Sequence, residues 1–305
     1  MTHGWTTTAS EALTPDQVDA VLALVDEAAA ADGSAALNEA ALLHLRHPHP
    51  GVLHLLAAAA PEPDRPVPPP LGYAQLDPGG AASTGQLVVR PESRRGGVGS
   101  ALLDELLRRA PSRLQLWALG DPAAARALAA RRGLVRAREL LVMTRSLAEP
   151  VEQPEPAPGV VLRAFVPGAD EDAWLALNAR AFAAHPEQGS LTRADLDERM
   201  AEDWFDAAGF FLAARGEELV GFHWTKQHPD RVGEVYVLGV DPTAGGRGLG
   251  KVLLGRGLAH LRDRGDETVL LYVEGDHDRA VGLYRTRGFT VASRDVMYAQ
   301  PEREG

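Results

Sequence analysis

Two glycine-rich turns in this chain have the residue types and spacing to hold an anion, and only the second is followed by a tyrosine placed for acid–base chemistry. The first reads Leu87-Val-Val-Arg-Pro-Glu-Ser-Arg-Arg-Gly-Gly-Val-Gly99, the second Leu238-Gly-Val-Asp-Pro-Thr-Ala-Gly-Gly-Arg-Gly-Leu-Gly250. In each, an apolar strand-like run reaches a proline, Pro91 or Pro242, and the turn closes before a helical stretch. Glycines let backbone N–H groups converge, and the start of the next helix adds partial positive charge, so a pyrophosphate is the natural ligand. A ligand-free strand-to-helix turn also uses glycine, but two copies in matching context favour the ligand. No Lys-Ser/Thr follows either turn, which separates both from the nucleoside-triphosphate loop.

Alignment of the halves at Pro91 and Pro242 brings their later parts into register. Asp121-Pro-Ala-Ala-Ala-Arg-Ala-Leu-Ala129 faces Asp276-His-Asp-Arg-Ala-Val-Gly-Leu-Tyr284, and both helices end at Arg-Gly-hydrophobic, a C-cap signal. Tyr284 stands where the first half has Ala129, and Glu234, eight before Pro242, matches Ser83. The first half lacks both acid–base groups.

These residues are positioned by two similar series of elements. In the first half, helices are expected near Val18–Val25, Glu39–Leu45, Ala101–Ala110 and Pro122–Arg131, with strands at Val52–Leu56, Leu71–Leu76, Gln86–Val89, Leu114–Trp117 and Glu139–Arg145. Pro61–Pro70 reads as a solvated loop, and Ala148–Gly159, with four prolines, as a stiff linker. The series then restarts, with strands at Val160–Phe165, Gly209–Ala213, Glu218–Lys226, Glu234–Val240, Thr268–Val273 and Val291–Tyr298. Helices are expected at Glu171–Ala183, from about Thr192, and at Val252–Arg264 and Arg279–Arg287. Period-2 alternation puts Glu234, Tyr236 and Leu238 on one face of their strand.

At 305 residues the chain accommodates two domains with their own cores. A net charge of −11 disfavours nucleic acid and anionic membranes as partners. Cysteine is absent, which removes disulfides, thiol nucleophiles and zinc–thiolate sites and suits a cytoplasmic location. No basic stretch leads into an apolar run at the N-terminus, and no apolar run approaches the roughly 20 residues that span a bilayer. His185, His223 and His228 lack the helical spacing of a metal pair, so no metal is expected.

The duplicated turn resembles the GNAT acetyltransferases in tandem. That family's acetyl-CoA loop, [Q/R]-x-x-G-x-[G/A] after a strand, is met in full by Arg94-Arg-Gly-Gly-Val-Gly99. Gly245-Gly-Arg-Gly-Leu-Gly250 meets it except that Gly245 replaces the Gln or Arg, and the family's closing asparagine is His277 here. The second half further resembles the actinobacterial tandem GNAT enzymes of mycothiol synthesis. The runs that carry this are His185–Gly189, Gly221–Lys226, Gly233–Pro242, Leu271–Glu274 and Ala280–Tyr284.

The resemblance implies an α/β (α+β) fold of two tandem GNAT domains, each a mixed, mostly antiparallel sheet flanked by helices. Residues 1–147 would form a non-catalytic domain, 148–159 the linker and 160–305 the catalytic domain. It implies acetyl transfer from acetyl-CoA to the cysteinyl amine of Cys-GlcN-Ins, an aminosugar–inositol, by a monomer. Substrate contacts would fall on Glu39, Glu187, Lys226, Glu234 and Tyr272. Cofactor contacts in the first half would fall on Leu87, Val88, Val89 and on Arg95, Gly96, Gly97, Val98, Gly99 and Ser100. In the second half they would fall on Leu238, Gly239 and Val240, then Gly245, Gly246, Arg247, Gly248, Leu249, Gly250 and Lys251. The helix start His277, Asp278, Arg279, Ala280, Val281 and Gly282 would complete that set.

An α-amino group has a pKa near 8, so a weak base suffices, and Glu234 is the expected base, directly or through one water. Tyr284 is expected to protonate the departing CoA sulfur, uphill by roughly 2 kcal/mol from the ordinary phenol and thiol pKa values. A backbone N–H at Leu238–Val240 is the expected oxyanion donor. Two rival functions share these features: a tandem GNAT enzyme for another small amine, and a non-catalytic acetyl-CoA sensor, which needs neither Glu234 nor Tyr284.

Overall fold

The computed structural model describes residues 4–47, 49–59, 68–79, 82–183, 188–244 and 248–302. The chain forms two compact units, Met1–Leu140 with Ser293–Gly305 and Leu141–Ala292.

In unit 1, β1 (Trp5–Ser10), β2 (Leu53–Ala59), β3 (Gly72–Asp77), β4 (Ser83–Val89) and β5 (Leu114–Ala118) lie in that order. Neighbours are antiparallel except β4 and β5, which run parallel. Helices cover both faces. Val98, Leu102, Leu103 and Leu106 of α3 (Val98–Arg109) and Ala129 of α4 (Ala123–Arg131) pack on one face. Val21, Leu24, Val25 and Ala28 of α1 (Pro15–Asp32) and Ala41 and Leu45 of α2 (Glu39–Arg46) pack on the other. Thr14 and Gln17 form a reciprocal capping box on α1, and Gly33 ends it in the left-handed conformation. β1 was not anticipated: its Thr-rich, largely exposed sequence lacks an apolar alternation, yet all six residues pair with β2.

Unit 2 repeats the plan with β7 (Val160–Ala164), β8 (Phe210–Arg215), β9 (Glu218–His228), β10 (Val232–Val240) and β11 (Thr268–Glu274). Only β10 and β11 are parallel among these. α5 (Glu171–Ala181) and α6 (Arg193–Met200) bury Trp174, Leu177 and Leu196 on one face with Phe210, Phe222 and Trp224. α7 (Leu249–Asp263) and α8 (Asp278–Arg285) pack Leu254, Leu258, Leu261, Val281 and Tyr284 on the other.

The division expected at 147 and 160 is corrected. Each unit takes its closing strand from the other half of the sequence. β12 (Thr290–Ala299) pairs with β5 from Val296 to Ala299, and Val296 and Tyr298 join the unit 1 core. Leu141 and Met143 of β6 (Val135–Ser146), next to β11, join the unit 2 core. The Pro-rich segment is not a free spacer either. Val151 packs on the unit 2 core, and Arg145 donates to the carbonyl of Pro150. Gly255 of α7 leaves room for the backbone of Glu152, whose carbonyl oxygen would lie 2.4 Å from any Cβ added there. Of the Pro61–Pro70 loop, residues 61–67 lie outside the described residues.

Candidate active site

The site is built on the fork where the two parallel strands of unit 2 part. β10 is in register with β11 only at Val232↔Thr268, Gly233↔Val269 and Glu234↔Leu270, while its pairing with β9 continues to Val240↔Gly221. Beyond Glu234, one edge of β10 therefore has no strand beside it, and backbone amides there can bind a ligand. This is the stretch that includes Leu238, Gly239 and Val240. After the fork, Pro242–Ala244 makes one turn of 3-10 helix, braced by Asp241, which accepts from Thr243 and Arg180. Those bonds hold the Asp241 carboxyl down at about 2. α7 then starts at Leu249, after Gly248 with φ 76°, a conformation that favours glycine. Gly250 and Lys251 lie in its first turn, where helix N-terminal amides have no intrahelical partner. Gly245, Gly246 and Arg247 lie outside the described residues, as do His185 and Glu187.

Glu234 sits at the fork and is 6% exposed. Its carboxylate Oε2 lies 2.6 Å from Nε2 of His228, its hydrogen-bond partner among the described residues. Lys226 is directly opposite Glu234 on β9, with Nζ 4.4 Å from the ring centroid of Trp204 and 5.3 Å from that of Tyr236. Both are cation–π geometries. Arg199 of α6 donates to the Tyr236 hydroxyl. Glu234, Tyr236 and Lys226 thus share the α5/α6 face of the sheet.

Leu238 does not share that face. The register between β10 and β9 shifts between Val235 and Val237, a β-bulge at Tyr236. The extra residue reverses the alternation: Tyr236 and Val237 both pack with the α5/α6 core, and Leu238 turns to the α7/α8 side. The bulge also corrects the match with the first half. With the antiparallel ladders matched at Val240↔Gly221 and Val89↔Gly72, Glu234 opposite Lys226 corresponds to Thr84 opposite Asp77, so Thr84 rather than Ser83 occupies the position of Glu234.

Tyr284 approaches from the other face. Its ring is buried in the α7/α8 core, edge-on to Phe289 with centroids 5.7 Å apart. Its hydroxyl makes no hydrogen bond among the described residues, and burial pushes the phenol well above its ordinary value. A phenol so placed stays protonated and can donate. His277 precedes α8 as its N-cap, and Asp278, Arg279, Ala280, Val281 and Gly282 form the helix's first turns, with Val281 buried beside Tyr284. Tyr272, on β11 two residues past the last β10 pair, is 48% exposed.

In unit 1, β4 and β5 also part after three pairs, Ser83↔Leu114, Thr84↔Gln115 and Gly85↔Leu116. Leu87, Val88 and Val89 end β4, and Gly97, with φ 88°, caps α3 ahead of Val98, Gly99 and Ser100. Arg95 takes a left-handed φ of 62° just before Gly96. Arg94 makes a two-pronged pair with Asp32 at 2.7 and 2.9 Å and donates to the carbonyl of Val89. Glu39 is the first residue of α2, capped by Asn38.

His228 was weighed in the sequence only as a metal ligand; its contact with Glu234 is what sequence reasoning missed. The signal was available: Glu234 and His228 flank a tight hairpin, and Val232↔His228 pairing sets them two residues apart on one face. His223 carries no such role. It is fully buried, with Nδ1 2.8 Å from the carbonyl of Leu253, and desolvation lowers its pKa to about 4. No group of three or more His, Asp or Glu side chains able to hold a metal occurs among the described residues. No described helix is long and apolar enough to cross a membrane.

The sequence profile of the acetyltransferase (GNAT) family matches residues 24–134 and 174–289. A mycothiol acetyltransferase of Thermomonospora curvata is 50% identical over 295 residues, 96% of each chain. One from Streptomyces scabiei is 52% identical over 94% of this chain and 92% of its own. Among solved structures, a tandem GNAT protein from the clavulanic acid biosynthesis pathway superposes with a TM-score of 0.73 at 21% identity, covering 97% of this chain and 98% of that one. A GCN5-related N-acetyltransferase from Sphaerobacter thermophilus gives 0.70 at 24% identity, covering 96% and 95%. These last two show the fold alone.

Proposed function

We propose a reaction that starts from a plain fact: the chain belongs to the acetyltransferase (GNAT) family, and it matches that family twice. It is an acetyl-transferring enzyme, and its reaction is transfer of acetyl from acetyl-CoA to the cysteinyl amine of Cys-GlcN-Ins, which makes mycothiol. The observation that carries this reading is identity of about half the residues, over nearly the full length of both chains, with mycothiol acetyltransferases.

Acetyl-CoA would supply the acetyl group as a thioester, and the fork of unit 2 with the start of α7 suits its pantetheine and pyrophosphate. Glu234, on the α5/α6 face, takes a proton from the substrate ammonium so that the amine can attack. A backbone N–H on the unpaired edge of β10 receives the oxyanion. Tyr284, on the opposite face, donates to the departing sulfur. The two side chains thus serve opposite ends of the transfer: nucleophile on one side of the sheet, leaving group on the other. The step forms the amide C–N bond, breaks the C–S bond and releases one net proton from the ammonium. Lys226, Tyr272 and Glu39 are proposed substrate contacts, with Glu187.

The test is turnover with acetyl-CoA and Cys-GlcN-Ins beside a panel of amines. Because this substrate carries its own thiol, product is read by mass as one acetyl added on nitrogen. Turnover confined to Cys-GlcN-Ins is the expected result. Turnover with other amines alone would keep the chemistry and remove the substrate, and acetyl-CoA binding without any turnover would leave a sensor.

A further inference from the structure

We infer that His228 is a positioning residue for the base Glu234: its Nε2–H fixes one carboxylate oxygen so that the other faces the amine. The inference rests on the reading of Glu234 as the base. A carboxylate on a strand has two competing partners here. Lys226 is its direct cross-strand neighbour, and His228, two residues further along β9, is its diagonal one. A pair with Lys226 would neutralise the base and draw it along the strand. The structure gives the carboxylate to His228 instead, at 2.6 Å from Nε2 to Oε2, and places the Lys226 ammonium over Trp204 and Tyr236.

The Glu234 side chain is 8% exposed and that of His228 is 32%, so the imidazole shields one oxygen from the solvent side. Oε1 remains for the amine proton. With Oε2 held, the carboxylate plane cannot turn, and a base kept within a few tenths of an ångström of its working geometry loses little to misorientation. The bulge at Tyr236 lies two residues beyond Glu234, so the register that brings His228 and Glu234 together is set before the strand is disturbed.

The test compares His228→Leu with His228→Gln in the full-length enzyme, with the substrate on which the wild type turns over. Gln places an amide N–H close to where Nε2–H lies, whereas Leu fills the space without a donor. The expected result is a tenfold or greater fall in kcat for His228→Leu with the KM for acetyl-CoA within twofold. His228→Gln should recover to within about threefold of wild type. His228 lies at a hairpin end, so both variants should still unfold cooperatively as folded proteins, with the lower Tm in His228→Leu, which leaves the buried carboxylate without its donor. Equal activity in Leu and wild type would overturn the inference, and so would equal loss in Leu and Gln, since a donor would then not be what matters. Failure of the functional reading looks different, because the wild type itself would then not acetylate Cys-GlcN-Ins.

Discussion

The two forks of this molecule share a backbone and differ in what lines it. In unit 1, β4 and β5 part after three pairs and a glycine turn leads into α3; in unit 2, β10 and β11 part after three pairs and a glycine turn leads into α7. By the antiparallel pairing Thr84 of unit 1 corresponds to Glu234 of unit 2, and the tyrosine of α8 corresponds to an alanine, Ala129, in α4. Beneath it, unit 2 has Trp224, Phe210 and Trp174 in edge and stacked contacts. Unit 1 has a polar chain, His54 to Tyr73 to Gln75, in the corresponding layer. On the proposed reading, the two units share a scaffold suited to a thioester-bearing ligand and differ in the few side chains assigned to the chemistry.

The sharpest way to break that contrast is at Glu234. Glu234→Gln should lower kcat by about 10²-fold or more, the usual worth of a general base, while acetyl-CoA affinity by calorimetry stays within about twofold. A loss below tenfold would mean that the fork geometry alone suffices. Tyr284→Phe should cost about tenfold in kcat, because a thiolate is already a good leaving group and the proton transfer is uphill. Its Tm should hold, since the ring contact with Phe289 remains.

Two stability measurements sharpen the comparison further. Gly239 of unit 2 corresponds to Val88 of unit 1, and a Cβ at Gly239 would lie 2.5 Å from Phe222 Cε1. Gly239→Ala should destabilise by about 1–3 kcal/mol in urea unfolding. His223 occupies the place of Ala74. Held neutral with a pKa of about 4 against an ordinary 6.5, it binds its proton in the unfolded chain first. Its contribution is complete above about pH 6.5, falls as pH drops and levels off below about 4. Between pH 7 and 5 the loss should be about 2 kcal/mol, and His223→Gln should flatten that limb. The smallest effect is expected from Thr84→Glu in a Glu234→Gln background, which should restore no turnover; recovery would show that unit 1 becomes a second catalytic centre once given a base, without a counterpart of Tyr284.

Much of this was legible from local chemistry. The glycine turns, the capping box at Thr14 and Gln17, and the helices before and after each fork follow from backbone rules that act within a few residues. Glu234 and Tyr284 stood out because one half had them and the other did not. What was not legible depended on register. The bulge at Tyr236 moved Leu238 to the other face and shifted the match to Thr84, and a period-2 count cannot see an inserted residue. The His228 contact arises from the same pairing. β1, too polar to announce itself, is specified by its partner strand. The closing strands β6 and β12 were assigned to the wrong units because sequence order suggested it, whereas their buried residues choose the core.

That last arrangement has a consequence for synthesis. As the chain emerges from the ribosome, the edge of β5 stays open until the whole of Leu141–Ala292 has been made and β12 can dock on it. An open edge strand invites pairing with a neighbouring chain. Unit 1 is the first to be translated and the last to be closed, so a nascent chain stalled within unit 2 carries an unfinished sheet at its front.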